Sequence, residues 1–123
     1  LASLYEQQGD ISKAWQEYKS LVDTLSSEKP EEAIVILNKF KEEEPIENRK
    51  KLAFLYRQAD KVDQSVHELV DLGDIYSGEG RKEEALSTFK EAQDLAPDNT
   101  EIISRIEMLE QGAPGAAAQP EEM

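Results

Sequence analysis

Residues 73 to 82 read GDIYSGEGRK, three glycines in eight positions followed by two cations, a composition that can do phosphate chemistry. Glycines let backbone N–H groups converge on a phosphate, and a nearby lysine then neutralises it. The spacing argues against this. A P-loop needs Lys directly after its second glycine, and Gly78 is followed by Glu79, whose carboxylate would repel a phosphate. The dinucleotide pattern also fails, because Gly78 and Gly80 have Glu83, not Gly, three residues on. Of other chemistry, His67, Asp71 and Asp74 stand at i, i+4 and i+7 on one helix face and could offer ligands to a divalent metal. One helix gives no enclosing shell, so the trio reads as chance in an acidic chain. With no Cys, one His and no suitable Ser, triad catalysis is excluded; Ser65, two residues away, points elsewhere. The run EEE at 42 to 44 reads as a solvated helix end. No cofactor, no metal and no enzymatic activity are expected. Calorimetry with ATP–magnesium or zinc should show no stoichiometric heat at micromolar concentration, and a one-to-one site at Gly73 to Lys82 or His67 would overturn both readings.

The elements that position these residues follow from periodicity. Ile11, Ala14, Tyr18, Leu21 and Leu25 recur at helical spacing, as do Leu52, Leu55, Tyr56 and Ala59. Val62, Val66, Leu69, Leu72, Ile75 and Tyr76 make a third stripe, and Ala85, Leu86, Phe89 and Ala92 a fourth. Pro30 and Pro45, each beside glutamates, suit the first turn of a helix. Asp98 with Glu101 resembles a capping box. AIVIL at 33 to 37 alone would read as a buried strand, yet the preceding KPEE opens a helix.

An internal repeat decides the matter. LASLYEQQGD at 1 to 10 lies over LAFLYRQADK at 52 to 61, and Glu17, Leu21, Asp23, Ser26 and Glu28 lie over Glu68, Leu72, Asp74, Ser77 and Glu79. After a one-residue slip, EEA at 31 to 33 covers EEA at 83 to 85, and Pro45 covers Pro97. A period of about 51 residues signals a repeat architecture. It also lays AIVILNKF over the helical ALSTFKEA, so the strand reading loses. Helix starts are expected near 11, 30, 46, 63, 82 and 98, after an N-terminal remnant.

Leu69, Leu72, Gly73, Tyr76, Ala85, Phe89 and Pro97 resemble the tetratricopeptide repeat pattern W-x2-L-G-x2-Y…A-x3-F…P, with Leu69 in place of Trp and Ala92 as a further small residue. The match covers roughly 66 to 99. Leu1, Ala2, Tyr5, Gly9, Ala14 and Tyr18 fit the later part of the same pattern, so the chain starts inside a repeat. The middle, 30 to 61, departs from it: Ser65 replaces the expected Ala and no proline follows at the usual distance. Helix 63 to 78 can close that unit or open the next. The resemblance implies an all-α fold, a right-handed solenoid of antiparallel helix pairs with about seven helices, over residues 1–111. It also implies that Gly73 and Ala85 sit where helices cross closely, and that Gly78 and Gly80 turn the chain. GDIYSGEGRK is then a helix-turn-helix corner. Residues 112–123, rich in Ala, Pro and Gly, read as a linker or tail.

The formal charge of −13 argues against DNA, RNA and anionic membranes. No apolar run approaches the roughly 18 residues of a membrane span, and no signal peptide opens the chain. The missing initiator Met reads as a piece of a longer protein, and the absence of cysteine fits the cytosol. The resemblance implies a non-enzymatic scaffold binding a protein or peptide. Some members of the family clamp a C-terminal carboxylate with cations, but Asp71 and Asp74 stand at the matching positions here.

Charge is unevenly spread. Segment 46–61 has five cations, Arg49, Lys50, Lys51, Arg57 and Lys61, against Glu47 and Asp60, for +3, while 62–80 has five acids and no cation, for −5. Either the two helices neutralise each other or the first is a binding surface. Phe54, off its helix's stripe beside Lys50 and Arg57, is either packed against a neighbour or an anchor for an acidic or amphipathic peptide. Val35 and Ile36 lie over Ser87 and Thr88, which suggests a contact specific to the first copy, including weak self-association. The alternatives to a scaffold are such an oligomerisation module, or a regulatory segment of a larger enzyme or transcription factor.

Overall fold

The computed structural model describes residues 9–111. They form six α-helices: α1 (Ile11–Glu28), α2 (Pro30–Lys39), α3 (Pro45–Gln58), α4 (Val62–Gly78), α5 (Lys82–Leu95) and α6 (Thr100–Glu110). A 3-10 turn, Lys41–Glu43, links α2 to α3, and there is no strand among the described residues. The starts expected near 11, 30, 46, 63, 82 and 98 fall at 11, 30, 45, 62, 82 and 100. The remnant before α1 and the tail after 111 lie outside the described residues. AIVIL is helical: Ala33, Ile34 and Leu37 are buried, Ile36 is half-buried and Val35 is exposed.

Each helix packs against the next in sequence. Small residues make the close crossings possible. Ala14, Ser65 and Ala85 are fully buried, and Ser65, where Ala was expected, donates its hydroxyl to the Ala53 carbonyl at 2.8 Å. At Gly73 the crossing is tightest: a Cβ there would lie 2.7 Å from Cδ1 and Cζ of Phe89, so the ring would have to shift.

The corners repeat as well. Gly9, Asp60 and Gly80 take left-handed φ of 78°, 64° and 77°. After Gly80, Arg81 N–H donates to the Tyr76 carbonyl at 2.9 Å; after Asp60, Lys61 N–H donates to Tyr56 at 2.8 Å. GDIYSGEGRK is thus the end of α4 and its turn. The N–H groups of Glu79, Gly80 and Arg81 are spent on α4 carbonyls, and the Arg81 guanidinium lies 4.7 Å over the Tyr76 ring. Gly78 does not share the turning with Gly80, as expected above; it is the last residue of α4 and needs no special φ.

The apolar residues fall into two cores. Ala14, Trp15, Val22, Ala33, Leu37, Phe40, Leu52 and Leu55 fill the one between α1, α2 and α3. Ala53 joins the other with Leu69, Leu72, Tyr76, Ala85, Phe89, Ala92, Ile102, Ile106 and Leu109. Helix α3 belongs to both.

Two periodic assignments are corrected. The stripe read through Ile11 and Leu21 is rotated: both are exposed, while Trp15 and Val22 take the buried positions. The reason is aromatic stacking, because Trp15 and Tyr18 both close on Phe40, at centroid distances of 5.8 and 5.3 Å. Ala59 is exposed at the end of α3. The α6 cap is Asn99, not Asp98. Its side chain accepts the Ile102 N–H at 3.1 Å, and Glu101 faces Arg105 instead of reaching back.

Gly73→Ala should destabilise the fold by about 1–3 kcal/mol, the usual cost of overpacking. Adding Phe89→Leu should recover part of that loss, so thermal unfolding of the double variant should show a cost below the sum of the singles.

Candidate partner-binding surface on α3

Helix α3 begins at Pro45, which lacks the N–H a first turn would leave unbonded. Leu52 and Leu55 face the first core and Ala53 the second, which leaves Lys50, Phe54 and Arg57 on the outside. Phe54 is 60% exposed, so of the two readings of this residue the packed one is excluded. Beside it lies a shallow cavity of about 210 Å³ between α1 and α3, lined by Asp23, Ser26, Lys50, Lys51, Phe54 and Leu55. Lys50 stands 4.0 Å from Glu47, and Arg57 3.8 Å from Glu91 of α5, both long and exposed pairs. Such pairs are screened and contribute little, so these cations stay available.

Of the two readings of the charge contrast, neutralisation of α3 by α4 gains no support: no ion pair joins an α3 cation to an α4 carboxylate among the described residues. The α4 carboxylates turn to other helices: Glu68 to Lys41 at 3.0 Å, and Asp74 to Arg105 of α6 in a two-pronged pair at 2.8 and 3.0 Å. His67 meets Asp71 at 3.3 Å, so His67, Asp71 and Asp74 do not converge on one point. Arg49 leaves the surface set too. It is buried, donating to Glu42 at 2.7 Å and to the Pro45 carbonyl at 3.1 Å. Of the first-copy pair, Val35 is 66% exposed and Ile36 packs partly against the first core. The repeat residues Leu69, Leu72, Gly73, Tyr76, Ala85, Phe89 and Ala92 are buried, and Pro97 is exposed between α5 and α6.

The three glutamates before α3 stay at the surface, with the Glu42 side chain 74% exposed, yet they are not idle. Each is committed to a different donor. Glu42 grips Arg49, Glu43 accepts the Ser12 hydroxyl at 3.0 Å, and Glu44 accepts both Lys19 at 2.6 Å and the Trp15 indole N–H at 2.8 Å. The Arg49 hydrogen bond holds the Glu42 carboxyl below its ordinary value, and those of Lys19 and then Trp15 do the same for Glu44. Behind them the buried Asn48 donates to the Phe40 carbonyl at 2.9 Å. Glu44 thereby ties α1 to the first turn of α3 and fixes the wall on which Phe54 stands. Periodicity could not show this, since the partners are polar and lie 25 to 29 positions apart in sequence. The Trp–Glu pairing is visible only once α1 and α3 are side by side.

The arrangement defines a class first: a stack of antiparallel helical hairpins with small residues at the crossings and left-handed corners. The stretch at residues 69–99 matches the tetratricopeptide repeat family. It spans most of α4 and all of α5, with Gly73 and Phe89 at its closest crossing. No curated protein and no solved structure matches the chain. Repeats of this family generally mediate protein–protein interaction.

The Glu44 contacts set a pH dependence. A carboxyl held low when folded stabilises the native state fully above its unfolded pKa, near 4.3, and loses that contribution as pH falls through the folded value. Thermal melts of the parent should therefore fall relative to Glu44→Gln as pH drops below about 4.3, and the two should converge at the acid end. A gap that widens on acidification would contradict the Glu44 assignment.

Proposed function

We propose that this chain is a non-enzymatic protein–protein interaction module whose partner contributes an acidic, amphipathic segment to the outer face of α3. The observation that carries this reading is Phe54: a large aromatic, 60% exposed, on a helix whose other apolar residues are shared between two cores. Lys50 and Lys51 line the cavity beside it, and Arg57 lies one turn further along α3. In a chain of net charge −13 this cationic, aromatic face is set apart from its surroundings. An apolar side chain from the partner would fill the cavity against Phe54, and its carboxylates would meet the cationic rim. Affinity would then come from burying the aromatic, while the rim would set association rate and salt dependence.

Phe54→Ala should cost about 2 kcal/mol or more of binding, as loss of a central aromatic anchor does. Capture of the partner by the full chain should be lost, while circular dichroism and melting temperature stay nearly unchanged. Lys50→Glu with Arg57→Glu should weaken capture most at low salt. A sharp fall in melting temperature for Phe54→Ala, or undiminished capture, would defeat the proposal.

A further inference from the structure

Another cavity, of about 650 Å³, opens between α4 and α6. Binding pockets commonly run from about 300 to 1,000 Å³, and one aromatic side chain fits such a space easily. Phe89 of α5 and Leu109 of α6 close its floor, and Met108, 45% exposed, stands at its wall. Asp74 of α4 and Glu101 of α6 line its rim together with Arg105. Arg105 grips Asp74 through two hydrogen bonds and lies 3.5 Å from Glu101. Two carboxylates share one guanidinium, so the rim is net negative, and the exposed Glu107 beside Met108 adds to it. The cavity is apolar at its base and acidic at its edge.

Its complement stands elsewhere on the same chain. Phe54 projects from α3, 60% exposed, with Lys50 one turn before it and Arg57 one turn after. A protruding aromatic flanked by cations matches an apolar cavity flanked by carboxylates in polarity and in sign. Within one chain the two stay apart, since the cavity is lined from α4, α5 and α6 and not from α3. The charges stay apart as well: the α3 cations and α4 carboxylates form no ion pair with each other among the described residues.

Building on the Phe54 reading above, we infer that the partner of that surface is a second copy of this chain, which receives Phe54 in the cavity between its α4 and α6. Phe54 lies against the Met108 thioether, a favourable sulfur–aromatic contact, while Lys50 and Arg57 meet Glu101 and Asp74. The contact is heterologous, because aromatic and cavity are different surfaces and each chain carries both. Copies therefore add head to tail, into a ring or an open filament. The net charge of −13 opposes this at low ionic strength. At about 0.15 M salt, charges farther apart than roughly 8 Å are screened while close pairs persist.

The test is sedimentation velocity of the full chain over a concentration series at about 0.15 M salt. The average mass of the parent should rise with concentration. Phe54→Ala and Met108→Lys should each stay monomeric where the parent associates, losing about thirtyfold or more in affinity, the scale of a central anchor. Both residues are exposed, so circular dichroism and melting temperature should match the parent. The decisive arm mixes the two variants. Phe54→Ala keeps the cavity and Met108→Lys keeps the aromatic, so together they should form a one-to-one pair that grows no further. A mixture that stays monomeric while the parent associates would overturn the inference, since the contact then joins like faces or lies elsewhere. A parent that is monomeric throughout would also overturn it, and would leave the Phe54 surface to a different protein, read by capture as above. Self-association of Phe54→Ala equal to the parent's would count against both readings.

Discussion

Everything in this molecule depends on α3 being claimed by two cores at once. Leu52 and Leu55 close the core of α1 and α2, while Ala53, between them in sequence, enters the core of α4, α5 and α6. A helix repeat cannot bury its apolar face alone, so stability passes from neighbour to neighbour. The small side chain of Ala53 lets α4 come close enough for Ser65 to bond the Ala53 carbonyl at 2.8 Å. With two faces committed, the third is left at the surface, and that face holds Phe54. A larger residue at 53 or 65 would push α4 away and divide the array into halves, each with a core too small to be secure.

Polar contacts then lock what apolar packing leaves loose. The turn between α2 and α3 has few apolar side chains, and its glutamates hold it through Arg49, Ser12, Lys19 and Trp15. At the far end Asp74 and Arg105 do the same between α4 and α6. This distribution helps a chain so acidic keep a cationic patch: Glu44 is committed to Lys19 and Trp15 of α1, and Glu42 to the buried Arg49. The charge imbalance between 46–61 and 62–80 is therefore preserved at the surface rather than cancelled.

The helices, their starts and the corner at GDIYSGEGRK could be read from spacing, because a 51-residue period, prolines at first turns and a glycine at φ 77° leave marks in the sequence. The resemblance carried by Leu69, Gly73, Tyr76, Ala85 and Phe89 matched the family found at 69–99. Two things were illegible. Trp15 displaced Leu21 from the buried face because two rings pack on Phe40, a preference that hydrophobic spacing does not encode. The partners of the EEE run come from α1 and from the next turn of α3, which spacing does not show. Phe54 was half legible: its position off the stripe could be read, its exposure could not.

The most direct measurement of the central claim, that α3 is the joint between two cores, is native-state hydrogen exchange along the chain. Amides of α3 around Leu52 to Leu55 and of α4 around Leu69 to Tyr76 should be the slowest to exchange, opening only in global unfolding. The ends of the described array, in α1 and α6, should exchange faster, as the outer elements of a stack do. Fast exchange in α3 while α4 and α5 stay protected would mean that the two cores are independent, and that Phe54 stands on a mobile hinge instead of a fixed wall.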